Sequence, residues 1–211
     1  METPFPMDRE EKKEYQLEEI LKKIDENGGL VKSAELNECG VDFRRVQSFV
    51  AEGKLTRVKN GYYTSKLLKY TEEEIVVAMF PDGVFTLESG AYYYGYLKKR
   101  PAHWTIAISK NTSKSRFKLD YPIVIPSYTE PDVLERGVEE MEIAGKPMKI
   151  YSKERLICDI LKYQEKMEPK EFKEAVLAYI MDEDKNVAEL MKFAKERKVL
   201  KKVQMMIGVW L

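Results

Sequence analysis

Between residues 13 and 26, Leu17, Ile20, Leu21 and Ile24 recur at helical intervals with charges between them, and the run stops at Gly28-Gly29. This pattern predicts a first amphipathic helix. In "LVKSAELNECG", Ser33 is placed to cap a short second helix through Leu36 and Glu38, with Gly40 ending it. Asp42 is a candidate N-cap for a third helix, and Val41 before it can pack on Val46 as a hydrophobic staple. In that third helix Phe43, Val46, Phe49 and Val50 form one apolar stripe. Arg44, Gln47, Ser48 and Ala51 take the opposite side with Arg45 at the margin, and Gly53 closes the helix.

The pattern then changes period. "KLTRVKNGYYTS" reads as two short strands around Asn60-Gly61, a pair suited to a two-residue type I′ turn because both central residues need positive φ. That turn predicts Lys59 opposite Tyr62, Val58 opposite Tyr63 and Arg57 opposite Thr64. Arg57, Lys59, Tyr62 and Thr64 would then share one side of the ribbon, with Val58 and Tyr63 on the core side. Three helices with a tight turn between the last two, followed by a hairpin, predict a winged helix-turn-helix over residues 1–68.

Residues 69–211 continue with a short helix in "TEEEIVVAMFPDG" ended by Pro81, and a strand or turn leading into a helix in "VFTLESGAYYYGYL". "HWTIAIS" alternates as a strand, "DYPIVIPS" is another, and "EIAGKPMKIY" holds one or two more with a glycine turn. Ser152 caps "KERLICDILKYQEKM", Pro169 opens "PKEFKEAVLAYIM", and helical stretches near 187–197 and 199–210 finish the chain. The expected fold class is α+β: an N-terminal winged helix-turn-helix followed by a larger α+β domain with C-terminal helices.

Composition narrows the function classes. A chain of 211 residues with 44% hydrophobic and 34% charged residues can build one or two packed cores. It contains no apolar run long enough to span a membrane, and "METPFPMDREEKKEYQ" lacks the apolar core of a signal peptide, so a cytoplasmic location is expected. Cys39 and Cys158 suggest neither a disulfide framework nor a zinc site. The net charge is zero, but residues 41–66 hold Arg44, Arg45, Lys54, Arg57, Lys59 and Lys66 against Asp42 and Glu52 alone. A local basic patch on a neutral protein is what selective phosphate binding needs.

If the third helix enters a major groove, Arg44, Arg45, Gln47 and Ser48 are the candidates for base edges, because guanidinium and amide groups match guanine and adenine. Lys32 and Ser33 at the second helix, with Arg57, Lys59, Asn60 and Tyr62 on the wing, are candidates for phosphate or minor-groove contacts. The same face could instead dock a protein, since fold does not dictate use. Lys110, Lys114, Arg116 and Lys118 form a second basic cluster, read either as an extended footprint or as a solvated loop, and the tyrosines of "AYYYGY" are expected to pack on the second domain's sheet.

No catalytic residue, metal site or cofactor is expected. The single histidine, His103, has no recognisable nucleophile elbow nearby, no glycine-rich phosphate cradle is present, and Asp82, Glu88, Asp120 and Asp159 form no legible pair.

The run "NGGLVKSAELNECGVDFRRVQSFVAEGKLTRVKNGYY" resembles the N-terminal winged helix of the AbiEi family, antitoxins and transcriptional regulators of bacterial type IV toxin-antitoxin (abortive infection) systems. "VFTLESGAYYYGYL", "HWTIAIS" and "IAGKPMKIYSKERLICDILKY" are similar to that family's following segments, so the resemblance spans about residues 15–205. Gly90 stands where the family often has alanine. Asp42 and Phe43 stand where polar or serine-containing helix starts are common, so base preferences are not carried over. The resemblance implies autorepression through inverted repeats in the protein's own promoter DNA. It also implies neutralisation of a cognate nucleotidyltransferase-like toxin, functionally if not by direct contact, with no membrane partner.

Overall fold

The computed structural model describes residues 8–143 and 145–210, so the leader-free N-terminus expected over the first residues lies in part outside the described chain, as does Ala144 in the predicted glycine turn. The fold is mixed α+β, and the chain packs into two compact units: residues 1–81 with 118–122, and residues 82–117 with 123–211. The sequence boundary at 68 stops short of this partition, because a local pattern carries no sign that a later five-residue segment joins the first unit.

In the first unit, α1 (Arg9–Glu26) starts at a capping box in which Asp8 and Glu11 satisfy each other's amides. A two-residue strand β1 (Val31–Lys32) leads into α2 (Ser33–Glu38), then α3 (Phe43–Ala51), β2 (Thr56–Lys59), β3 (Tyr62–Thr64) and α4 (Glu72–Met79). The strands form an antiparallel sheet in the order β1-β3-β2. Ile20, Ile24, Leu36, Val41, Val46, Phe49, Leu55 and Tyr63 form the core. Gln16 of α1 donates to the Gly40 carbonyl at 2.8 Å and so ties down the turn between α2 and α3.

Four expectations change here. Ser33 is not the cap of α2 but its first residue; Glu35 accepts from the Lys32 amide at 2.7 Å, while the Ser33 amide donates to the Gly61 carbonyl at 2.9 Å. Phe43 does not join the core stripe and is 68% exposed, whereas Val41, just before α3, is buried with Val46 and Phe49. Lys59 does face Tyr62, but Arg57 then pairs with Tyr63 and Thr56 with Thr64 across an irregularity at Val58, and Thr64 is buried. The cause is distant in sequence: the amides of Asp120 and Tyr121 donate to the Val58 carbonyl at 2.7 and 3.2 Å, drawing it out of the ladder. Gly61 alone takes positive φ in the turn, so the hairpin is not type I′.

In the second unit, β4 (Val84–Phe85), α5 (Leu87–Tyr93), β5 (Trp104–Ser109), β6 (Val124–Thr129), α6 (Pro131–Leu134), β7 (Val138–Ile143) and β8 (Lys146–Tyr151) build a sheet in the order β6-β5-β4-β8-β7. The pairs β5–β6 and β4–β8 are parallel, and β4–β5 and β7–β8 antiparallel. The alternation in β5 predicts one exposed face, but the strand is buried along nearly its whole length, because it lies between β6 and β4 and is packed by α5 and α6. β6 is an edge strand; since the Ile123 and Thr129 carbonyls accept from β5, the nitrogen of Pro126 faces outward, where a missing donor costs nothing.

The helices α7 (Lys153–Lys162), α8 (Pro169–Met181), α9 (Val187–Glu196) and α10 (Leu200–Met206) complete the unit. Ser152 accepts from the Arg155 amide and Pro169 opens α8, as expected. Residues 154–161 of α7 are all buried, because α5, α8, α9, α10 and β8 surround that helix. Gly137 is required where it stands: its φ is 73°, and a Cβ there would lie 2.7 Å from the Phe193 ring and 3.0 Å from Arg155.

Candidate nucleic-acid interface

The sequence-chosen residues fall into two groups on the first unit. The first is built by α3. Asp42 accepts from the Arg45 amide at 2.8 Å, fixing the helix start, and Gly53 ends it in a left-handed turn with Lys54 donating to the Phe49 carbonyl at 2.9 Å. Val46 and Phe49 anchor the helix, leaving Arg44 exposed and Arg45, Gln47 and Ser48 half-buried. Ser48 donates to Glu52 at 2.7 Å, and Glu52 also meets Lys13 at 2.8 Å and Lys54 at 3.1 Å. Lys13, Ser48 and Lys54 together hold the Glu52 carboxyl well below the usual carboxylate range, at about 2. A shallow cleft beside this helix is lined by Arg9, Asp42, Arg44, Arg45 and Ser48. Arg9 was not foreseen, since it sits in an acidic segment and its approach to α3 is a tertiary contact.

The second group is built by the sheet. Lys32 pairs with Tyr62 in register, Tyr62 faces Lys59, and the Lys59 ammonium lies 4.6 Å from the Tyr62 ring centre. The Ser33 amide bond to Gly61 brings the start of α2 to the turn carrying exposed Asn60. Lys32, Ser33, Lys59, Asn60 and Tyr62 therefore form one neighbourhood. Arg57 differs: it is bound to Asp120 at 2.8 Å, so phosphate would have to compete with a carboxylate.

The second basic cluster is not a free patch. Lys110 pairs with Glu130 at 2.6 Å, and Arg116 grips Asp82 through two bonds of 2.8 and 2.5 Å, which hold the Asp82 carboxyl below its ordinary range. Lys114 and Lys118 are exposed, and Lys118 belongs to the first unit while the other three belong to the second. The tyrosines of α5 and its exit pack inward. Tyr93 stacks on Trp104 at 5.8 Å, the Tyr94 hydroxyl donates to the Tyr151 carbonyl, and the Tyr96 hydroxyl donates to Asp182.

All four carboxylates that formed no legible pair in the sequence have basic partners: Asp82 with Arg116, Asp120 with Arg57, Glu88 with His103, and Asp159 with both Arg155 and Arg197. Glu88 and His103 belong to a polar cluster in which Glu88 Oε1 lies 2.6 Å from the ring and accepts from the Thr105 hydroxyl at 2.6 Å, while Ser89 accepts from the Thr105 amide at 2.7 Å. Ser89 is fully buried. The cluster clasps the start of α5 to the start of β5.

Among the described residues no group of three or more His, Cys, Asp and Glu side chains could hold a metal ion, and no helix is long and apolar enough to cross a membrane. No protein-family profile matches the chain, and a comparison with curated proteins finds no match.

Proposed function

We propose that the first unit is a winged helix-turn-helix that binds double-stranded DNA sequence-specifically, and that the protein is a transcriptional autorepressor and antitoxin of the AbiEi type. The observation that carries the DNA reading is α3. It is anchored by Val46 and Phe49, held by Gln16 at the preceding turn, and presents Arg44 outward beside the arginine-lined cleft. In this reading Arg44 and Gln47 reach base edges, Arg9 and Arg45 meet phosphates, and Lys32, Lys59 and Asn60 hold the backbone at the wing. The second unit would counter a nucleotidyltransferase-like toxin, as the AbiEi resemblance implies.

The test is a binding titration of the full chain against its own upstream DNA and a scrambled duplex at two salt concentrations. Selective binding that weakens with salt supports the reading, because cations released from phosphates make affinity salt-dependent. Equal binding to both duplexes, or none, overturns it. Co-expression with a neighbouring nucleotidyltransferase-like reading frame tests the antitoxin half, with rescue of growth as the expected result.

The rival reading is a winged helix that docks a partner protein without DNA. The carboxylate already bound to Arg57 favours it. Under that reading, charge reversal at Arg44 and Arg45 leaves activity intact.

A further inference from the structure

Phe43 stands in the first turn of α3 with 68% of its surface exposed, although Val41, Val46 and Phe49 on either side of it are at most 4% exposed. A phenyl ring left in water at a helix start gives up burial that the neighbouring apolar residues obtain. Successive helical residues turn by about 100°, which places Phe43 about 40° from Gln47 and about 100° from Arg44 on the outward arc. Its surroundings are cationic on balance: Arg44 follows it directly, and the adjoining cleft is lined by Arg9, Arg44 and Arg45 with Ser48 and the single carboxylate of Asp42, which is engaged in capping the helix. An apolar ring edged by guanidinium groups fits a surface on which an apolar group is edged by anions.

The thymine C5-methyl in the major groove, flanked by phosphates, is such a group, and phenylalanine is among the side chains that contact it. Resting on the DNA reading above, we propose that Phe43 is a specificity-determining residue that reads a thymine through its C5-methyl, beside the base edges offered to Arg44 and Gln47. An apolar groove on a protein partner matches only where carboxylates rim it to compensate the arginines, whereas the phosphates along a major groove supply anions at every step.

The experiment begins with selection of the full-length protein on a random duplex library, followed by titration of the enriched sequence with each thymine replaced singly by deoxyuridine, which removes only the methyl. One replacement is expected to weaken wild-type binding about fourfold, the worth of one buried methyl group. Phe43→Ala should bind the thymine and deoxyuridine duplexes equally with its salt dependence unchanged, and Phe43→Leu should retain part of the preference. If no single replacement matters, or if Phe43→Ala discriminates as wild type does, the inference is overturned while DNA binding stands. An unchanged DNA isotherm for Phe43→Ala with loss of toxin rescue overturns it in favour of protein docking. If no sequence is enriched, the DNA reading itself fails and the inference with it.

Discussion

Asp159 offers the most direct test of how the second unit is held together. It accepts from Arg155 Nε at 3.1 Å and from Arg197 Nε at 2.5 Å, and the three residues are at most 4% exposed. Two cations thus share one anion in the interior. Burial opposes the Arg197 charge, but Asp159 and Tyr163 together more than offset this and raise the guanidinium above its ordinary range. Asp159→Ala strands both guanidiniums, and removing one partner of a buried pair costs about 3–5 kcal/mol. Arg197→Met leaves a one-to-one pair between Asp159 and Arg155, whose Nη1 also donates to the Val133 and Arg136 carbonyls at 2.9 Å. Its cost should stay within about 1.5–3 kcal/mol, the worth of a hydrogen bond to a charged group. The assay is urea unfolding followed by tryptophan fluorescence, because both tryptophans, buried Trp104 and exposed Trp210, lie in the second unit. The slope of stability against urea should match wild type if only stability has changed. Should Asp159→Ala not fold, Asp159→Asn carries the same comparison. Equal losses for the Asp159 and Arg197 variants, or a loss below about 1 kcal/mol for Asp159→Ala, would refute the account of a shared buried anion.

Arg44→Ala should lose about 1–3 kcal/mol on the selected DNA and relax base preference, whereas Lys59→Ala should weaken all duplexes alike and flatten the salt slope, both read by titration. Gly137→Ala combines a left-handed φ with contact distances that force neighbours apart, adding about 1–2 kcal/mol of backbone strain to about 1–3 kcal/mol of overpacking. Gly145→Ala, with φ 76° and open space around it, should show the first cost alone in the same fluorescence assay. Burial pushes the Cys158 thiol up to about 12, and burial and the nearby Glu19 raise Cys39, so a thiol reagent at neutral pH should label Cys39 slowly and Cys158 only after unfolding. Because the Glu52 carboxyl is depressed in the folded state, its bonds contribute stability that is present above the ordinary glutamate range and is lost as pH falls toward about 2. A carboxyl titration by NMR with a midpoint near the ordinary glutamate value would contradict this.

The sequence by itself determined the elements whose signals are local. Asp42 and Ser152 cap their helices through amides three residues on, Pro169 opens α8 because its missing donor is needless there, and Asn60-Gly61 sets Lys59 against Tyr62. It also singled out Arg44 and the hairpin residues, since charge and helical period are readable from neighbours. Tertiary structure alone decided the rest. The Val58 irregularity and the Arg57–Asp120 bond depend on residues 118–122 returning to the first unit. Phe43 is left exposed while Val41 is buried, and Arg9 enters the candidate site across a gap in sequence. Asp159 is one acid among many in the sequence; α5, α8, α9 and α10 enclose α7, and the end of α9 brings Arg197 onto it. The physical reason is range: caps and turns are specified by φ and by hydrogen bonds within a few residues, whereas burial and ion pairing depend on which distant element arrives, and that is a property of the packed chain.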